Sequence, residues 1–447
     1  MLSASRPRET LSITDAVAII VGMVVGVGIF KTPSIVAVSA DSELMLMLFW
    51  VLGGLASLIG ALCYAELTST YPHAGGDYHY LNRAFGVVPS FLYAWARMAV
   101  IQTGSIAMVA FLIGDYASAI FRIGAYSTSL YAGTTILILT AVNIAGIRQG
   151  KWTQKTLISV TMAGLFVVAA AGIFLTEPQT AAAAAVGTGR IVPGGVALGT
   201  AMIFVLLTYG GWNEAAFLSA EVKSTRRNMV KVLLLSIGMI TIIYLLINLA
   251  LLKSLGLADM AASEAVMADM MRRVFGQNGA RFISVLILIA AISTMNAAII
   301  TGARTGYALG RDYTILNFLG RWQGHRHTPV NALLLQGGVA LLLVILGTGT
   351  RDGFVMMVEY TAPVFWLFFL MVGISIFVLR LKNAGEHRPF AVPLYPLTPM
   401  VFCMICLFML YSSLAYTGSG AFFGVGVLLA GIPLMLLQKS RNARLAK

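Results

Sequence analysis

The chain is a series of long apolar runs separated by short polar segments, and this pattern continues from residue 13 to residue 438. A helix needs about 20 apolar residues to cross the roughly 30 Å hydrocarbon core of a bilayer. The runs therefore predict about twelve transmembrane helices. Their expected ranges are 13–38, 44–68, 87–113, 127–147, 156–176, 197–221, 232–253, 279–303, 331–347, 353–379, 397–415 and 420–438.

The composition agrees with this pattern. Hydrophobic residues make up 59% of the 447 residues and charged residues only 11%. Soluble domains carry about 25% charged residues, so the chain is expected to be an all-α membrane protein. A count of eleven helices is the alternative, if the glycine-rich segment 420–438 lies at the membrane surface instead.

The net charge of +13 does not indicate a nucleic-acid-binding protein. Most Lys and Arg residues fall in the loops and tails on the side of the N-terminus, as the positive-inside rule describes for cytoplasmic segments. The basic clusters at 223–231 and 438–447 are typical of anchors beside a membrane. Both termini are therefore predicted to be cytoplasmic.

Cysteine and histidine give no sign of a disulfide framework or a metal site. Cys63, Cys403 and Cys406 all lie in apolar segments, which favours helix packing. The five histidines fall in predicted loops and form no H-x-x-x-H pair.

Two of the predicted helices are interrupted near mid-membrane. The stretch "VGMVVGVGIFKTPS" (21–34) holds three glycines, a lysine and a proline, and "FVLLTYGGWNEAAF" (204–217) holds a Gly-Gly pair followed by Asn and Glu. Interruptions at matching positions of two halves point to an inverted repeat of five plus five helices. We expect one domain over 1–447, with repeat one at about 13–176, repeat two at about 197–379 and peripheral helices at about 397–438.

An unwound turn exposes peptide groups, and each one left bare in lipid costs several kcal/mol. It persists where it faces protein, water or a ligand. Freed N–H groups suit a carboxylate and freed carbonyls suit an ammonium or a metal cation. Two facing breaks can hold both ends of a zwitterion, so the sequence favours an amino acid as ligand. The alternative is close helix packing, because Gly22 and Gly26 have G-x-x-x-G spacing.

These segments resemble a known family. "GVGIFKTP" (26–33) resembles the G-S-G-I-F-x-x-P signature of the amino acid–polyamine–organocation superfamily, and "TYGGWNEAAFLSAEVKSTRRN" (208–228) resembles its helix-6 motif. The stretches "CYAELTSTYPHAGGDYHYL", "FLYAWARMAVIQTGSIA" and "RPFAVPLYPLTP" extend the similarity over nearly the whole chain. The resemblance is to bacterial and L-type amino acid transporters. It implies a LeuT-like fold with broken helices 1 and 6 that works by alternating access in a bacterial inner membrane.

The resemblance also implies a substrate site at the two breaks. The carboxylate would meet backbone N–H groups, and the amino group would meet carbonyls, while Asn213 would add a polar contact. The residues carried over are Val24, Gly26, Val27, Gly28, Leu207, Thr208, Gly210 and Asn213.

Three positions depart from the family pattern. Val27 replaces the signature serine, Leu207 replaces the aromatic residue that caps the substrate, and Thr161 replaces the helix-5 lysine of many relatives. Since that lysine fills the place where sodium-coupled members of the fold bind Na⁺, its loss opens the hypothesis of a sodium site. The stretches "GMVVGVGIF" (22–30) and "AAISTMN" (290–296) resemble the ion-binding motifs of a sodium-coupled transporter of this fold. This resemblance implies that the ligands would be the carbonyls of Gly22, Val25 and Ala290 and the hydroxyls of Ser293 and Thr294. The alternative is that the two hydroxyls bond back to their own helix.

Four of the charged residues within or near the predicted helices are candidates for a functional or structural role. Arg97 is either functional or directed to the membrane edge. Glu66 and Glu221 lie near the cytoplasmic ends, where we expect them to pair with loop bases or cap helices. Glu214 lies deeper, and it is a candidate proton carrier.

The function predicted from these features is a permease for small to medium neutral amino acids, working as an ion-coupled symporter or as an exchanger. A carrier of cationic amino acids or polyamines, a channel, and a nutrient sensor on the same fold are the alternatives. No motif of a membrane enzyme is present, which argues against catalysis. The expected partners are the substrate, Na⁺ or H⁺ as coupling ion, and lipid, with no cofactor and no nucleic acid. A monomer is plausible.

Overall fold

The structure is a computed structural model, and it describes residues 12–73, 75–146, 151–176, 194–219, 222–322, 328–350, 352–415 and 418–437. These residues are almost entirely helical. A π-helical turn, Arg97–Ile101, lies between the helices Val87–Ala96 and Gln102–Ile120. The helices are α1 (Ile13–Val24), α2 (Val27–Val38), α3 (Glu43–Thr70), α4 (Gly76–Phe85), α5 (Val87–Ala96), α6 (Gln102–Ile120), α7 (Ser127–Ile144), α8 (Lys151–Phe174), α9 (Gly194–Tyr209), α10 (Ala215–Leu218), α11 (Thr225–Ala262), α12 (Val266–Asp312), α13 (Val330–Thr348), α14 (Gly353–Lys382), α15 (Leu397–Ala415) and α16 (Ser419–Leu429).

The membrane-spanning pattern predicted from the sequence is confirmed. Among the described residues, ten helices are long and apolar enough to cross a bilayer, and the bent pair α1 and α2 brings the number to as many as eleven. In α8 a shorter apolar part, Ser159–Phe174, covers most of the remaining predicted span. The glycine-rich last segment is one of the ten, at Gly420–Leu437. The protein is thus a multi-pass membrane protein of about twelve helices.

The first predicted interruption separates α1 from α2, whose axes are bent by 49°. Gly26 has φ −142° and ψ −130°, outside the helical region. Its N–H donates to the Val24 carbonyl at 2.8 Å, whereas an unbroken helix would direct it to Gly22 four residues earlier. The break therefore lies at the glycines that the sequence singles out.

The second interruption follows α9. Gly211 has φ +105°, a left-handed conformation that glycine adopts without a Cβ clash. A 3₁₀ turn, Trp212–Glu214, and the four-residue helix α10 come next. Glu221, which the sequence places near a cytoplasmic helix end, lies outside the described residues. Both broken helices are thus as predicted.

The broken helices lie in the middle of the bundle. Helix α2 packs against α9, α11 and α12, and α9 packs against α3. On the other side, α6 packs against α12, α7 and α14. Helices α15 and α16 both pack on α14, which agrees with a peripheral position, while the exact bounds of the two repeats stay a prediction.

The two ends of the bundle are defined by the helices that finish there. The "α4 end" is the one at which α3 finishes at Thr70 and α4 follows. At this end Glu66 binds Arg380 of α14 at 2.6 Å and lies 3.6 Å from Arg388. Arg388 lies in the loop after α14, so this contact is the pairing with a loop base that the sequence predicts. The "opposite end" is the one at which α2 finishes and connects to α3.

Candidate functional site

A cavity of about 220 Å³ lies between the two helix breaks. Its wall combines backbone from the breaks, polar side chains and a group of aromatic rings. The lining residues are Met23, Val24, Gly28, Thr32, Asp77, Tyr93, Arg97, Ile101, Gln102, Ser105, Met108, Val109, Leu207, Thr208, Gly210, Gly211, Asn213, Glu214, Thr294, Ala298, Phe354, Thr361, Phe365, Phe368 and Phe369.

The two breaks touch each other beside this cavity. A Cβ built on Gly28 would lie 2.8 Å from the Thr208 side chain, and one built on Gly211 would lie 3.3 Å from Val24. The Thr208 hydroxyl lies 2.7 Å from that of Thr32. Such close approach requires glycine at Gly28, since any side chain would separate the two segments.

Six of the eight residues predicted for the substrate site line the cavity. They are Val24, Gly28, Leu207, Thr208, Gly210 and Asn213. Gly26 belongs to the break itself but is not among the described lining residues, and the side chain of Val27 lies outside the described part of the structure. The structure therefore brings the two motifs together, although they are far apart in the sequence.

Two of the carbonyls predicted to bind an ammonium already accept hydrogen bonds from the protein. The Leu207 carbonyl accepts from Gly210 N–H at 2.9 Å, and the Val24 carbonyl accepts from Gly26 N–H. Each carbonyl oxygen has two lone pairs, so the Leu207 oxygen retains one for a further donor, whereas the Val24 oxygen also lies within hydrogen-bond distance of the Tyr244 hydroxyl. A ligand would thus share these oxygens with the backbone.

Tyr244 is a residue of this site that the sequence reasoning missed. It is fully buried in α11, and its hydroxyl lies 2.9 Å from both the Val24 carbonyl and the Thr208 carbonyl. With one proton, the hydroxyl can donate to only one of them at a time. The available signal was a tyrosine hydroxyl in the middle of the largely apolar run "ITIIYLLINLA".

Arg97 forms an ion pair at the α4 end of the cavity. Its guanidinium donates to Glu214 Oε2 at 2.9 Å and to the Tyr93 hydroxyl at 3.4 Å. The Arg97 side chain is only 9% exposed. The sequence left open whether the Arg97 side chain is functional or directed to the membrane edge. The ion pair with Glu214 excludes the second interpretation.

Asp77 is the second carboxyl at this end, and the sequence reasoning did not select it. It belongs to α4, is 2% exposed and accepts a hydrogen bond from the Tyr93 hydroxyl at 3.3 Å. Burial raises the pKa of Asp77 from 3.8 to about 7, although Arg97 acts in the other direction. The signal in the sequence was an aspartate among tyrosines in "GGDYHYL".

A second charged cluster lies on the side of the opposite end. The Lys31 ammonium, in α2, donates to Asp115 of α6 at 2.8 Å and to the Glu264 carbonyl at 3.3 Å. It also lies 3.5 Å from Asp352, which caps α14. One ammonium thus holds three different parts of the bundle together at this end.

The residues of the sodium hypothesis are only partly brought together. Thr294 lines the cavity, and its hydroxyl lies 3.8 Å from a Cβ built on Gly26. That hydroxyl donates to the Ala290 carbonyl at 3.1 Å, as the alternative expected. Gly22 and Val25 lie at the end of α1, and Ser293 is half-buried. Thr161 is buried in α8, and this helix packs on α11 and α12.

Comparison with known proteins identifies the kind of molecule that carries this cavity. Residues 11–435 match the family model described as amino acid permease. The chain is 27% identical to the mouse b(0,+)-type amino acid transporter 1, covering 92% of this chain and 83% of that protein. It is 26% identical to the human cystine/glutamate transporter, covering 96% and 85%.

A bacterial relative is similar over its full length. The serine/threonine exchanger SteT of Bacillus subtilis is 25% identical, and the similarity covers 98% of each chain. These relatives are transporters and not enzymes. The match over nearly all residues therefore shows that this chain belongs to the amino acid permease family of the amino acid–polyamine–organocation superfamily.

Proposed function

We propose that this permease is a secondary carrier for small to medium neutral amino acids, which it moves across a bacterial inner membrane by alternating access. One end of the zwitterion would lie on the N-terminal end of α2, at Gly26, Val27 and Gly28. The other would lie on the carbonyls beside the two breaks. The observation that carries this proposal is the contact of both breaks, at Gly28 and Thr208, beside one cavity.

The charges of the cavity bear on the substrate class. Its charged lining residues, within the described chain, are Asp77, Arg97 and Glu214. Arg97 is occupied by Glu214, so the cavity offers no free cation to an acidic side chain. Carriage of cationic amino acids or polyamines is the second candidate, since the carboxyls outnumber the guanidinium. The aromatic and aliphatic part of the wall favours the neutral substrate.

Exchange and ion coupling both remain within the proposal. The name of SteT describes an exchanger, and it is that protein's activity. Sodium coupling is supported by the position of Thr294 beside the α1–α2 break. The orientation with both termini in the cytoplasm, contact with lipid and a monomeric state are part of the same proposal.

Counterflow in liposomes tests the carrier function directly. Purified protein is reconstituted with unlabelled glycine, alanine, serine, threonine, leucine, glutamine, lysine, glutamate or putrescine inside, and uptake of the labelled compound is measured. We expect saturable counterflow with neutral amino acids. Flux that does not saturate would indicate a channel, and binding without flux would indicate a sensor.

The sodium hypothesis needs a separate experiment. Uptake is measured with and without an inward Na⁺ gradient in wild type and in Thr294→Ala. A sodium stimulation that the variant loses supports the site, whereas full uptake in sodium-free buffer rejects it. Thr301→Ala is the matched control, because Thr301 lies exposed on the same helix and bonds only back to its own turn.

A further inference from the structure

The cavity contains one carboxyl more than it has cations. Asp77 and Glu214 face a single guanidinium, that of Arg97, and no other charged side chain lines the cavity within the described chain. An uncompensated charge in a site of low dielectric is unfavourable by several kcal/mol. A proton or a cationic ligand is therefore needed to balance the second carboxyl.

The hydrogen bonds show which carboxyl lacks a counter-charge. Glu214 accepts directly from Arg97 at 2.9 Å and is 31% exposed, so it is both paired and hydrated. Asp77 reaches Arg97 only through the Tyr93 hydroxyl and is 2% exposed. The excess negative charge thus falls on Asp77.

From this geometry we infer that Asp77 is the proton-binding group that couples transport to a proton gradient, so that a proton on Asp77 balances the cavity when a neutral amino acid is bound. This inference rests on the proposed carrier function. It assigns the proton to a residue of α4, whereas the sequence favoured Glu214.

The surroundings of Asp77 shift its equilibrium toward the protonated form. The groups that face it are hydroxyls of Tyr64 from α3 and Tyr93 from α5, with Arg97 and Glu214 as the charges. Tyr80 of its own helix lies nearby. Helix α14 also packs on α4, and its Phe368 meets the Tyr93 ring edge-on and supplies no charge. Burial is the dominant cause, and it raises the pKa of Asp77 to about 7.

The proton then moves in step with the substrate. With the cavity open to the more acidic side, the Asp77 carboxylate takes a proton from water and becomes a neutral carboxyl. The neutral amino acid binds, and the loaded carrier opens to the other side. There the carboxyl returns its proton to water, so that one proton crosses with each substrate molecule.

The test measures proton movement together with counterflow. Liposomes contain a pH-sensitive dye, and the neutral amino acid with the fastest counterflow in the panel above is added under an inward proton gradient. In wild type we expect faster uptake and substrate-dependent acidification. In Asp77→Asn we expect the acidification to be lost, measured as protons taken up per molecule of substrate, because the amide cannot carry and release the proton. In Asp77→Glu, which keeps a carboxyl, acidification is expected to return.

The outcomes separate this inference from the proposed function. Absence of counterflow for every compound in wild type would refute the carrier function itself. Counterflow in wild type without proton movement would overturn the role of Asp77 alone, as would acidification that persists in Asp77→Asn. Faster exchange of lysine or putrescine without proton movement would show that a cationic ligand supplies the balancing charge.

If Asp77→Asn shows no counterflow at all, a binding experiment tests the inference instead. Proton uptake on addition of the amino acid to detergent-solubilised protein is measured with a pH indicator at a series of pH values. Asp77→Glu is expected to shift the pH midpoint relative to wild type, and an unshifted midpoint would overturn the inference. Asp269→Asn is the matched control, because it removes a carboxyl that pairs with Arg272 outside the cavity.

Discussion

The Lys31 ammonium and the Asp115 carboxylate form a buried ion pair, with 2.8 Å between Lys31 Nζ and Asp115 Oδ2. Their side chains are 5% and 15% exposed. The pair joins α2, the second half of the first broken helix, to α6. Helix α6 continues from the π-helical turn that carries Arg97. One helical span therefore carries two ion pairs, Arg97 with Glu214 on one side of the cavity and Asp115 with Lys31 on the other.

Lys31→Met is predicted to lower the free energy of unfolding of the protein. It leaves Asp115 buried without its cation, and removal of one partner of a buried pair costs about 3–5 kcal/mol. Thermal unfolding of the detergent-solubilised protein measures the loss. The control is Arg272→Ala, which breaks an exposed pair with Asp269 and should change stability by about 0–1 kcal/mol. Equal effects of the two variants would contradict the prediction.

Gly28→Ala is predicted to abolish most counterflow. The new Cβ would lie 2.8 Å from the Thr208 side chain and 3.0 Å from its Cα, so that the two breaks must separate. Gly338→Ala in α13 is the control, because a Cβ there meets nothing within 4 Å. Wild-type counterflow in both variants would show that the breaks need not touch.

Tyr244→Phe is predicted to weaken substrate binding by about fivefold, since a hydrogen bond contributes about 1 kcal/mol. The change frees the Val24 and Thr208 carbonyls from the hydroxyl that orients them. Substrate-dependent thermal stabilisation gives the affinity. Tyr209→Phe loses a hydroxyl bonded to Trp50, outside the cavity lining, and should lower stability with unchanged affinity.

The contribution of Asp77 to stability is predicted to fall as pH rises from 3.8 to about 7. The native Asp77 keeps its proton up to about pH 7, whereas the unfolded chain releases it near 3.8. The native state therefore binds more protons between these values, and the free energy of unfolding decreases as pH increases. Asp77→Asn should remove this decrease and be more stable than wild type at alkaline pH.

Thermal unfolding of both proteins over a series of pH values checks this, with Asp269→Asn as the control. Parallel curves for wild type and Asp77→Asn would mean that Asp77 is already ionised in the native protein.

The local pattern of the chain was sufficient for the helices and for the two breaks. Apolar length predicts spans, and the glycines at Gly26 and Gly211 predict where a helix ends, because both signals depend on neighbouring residues alone. The motifs at 26–33 and 208–228 also indicate that the breaks form one site. This part of the prediction concerned backbone, whose conformation is set within a few residues.

The tertiary structure alone decided which side chains complete the cavity. Asp77 and Tyr93 meet Arg97 and Glu214, and Lys31 meets Asp115, across sequence separations that no periodicity encodes. A charge in an apolar run indicates that a partner must exist, since an unpaired one is too unfavourable, but not which residue it is. The partner depends on how the helices pack, and packing brings together residues from every part of the chain.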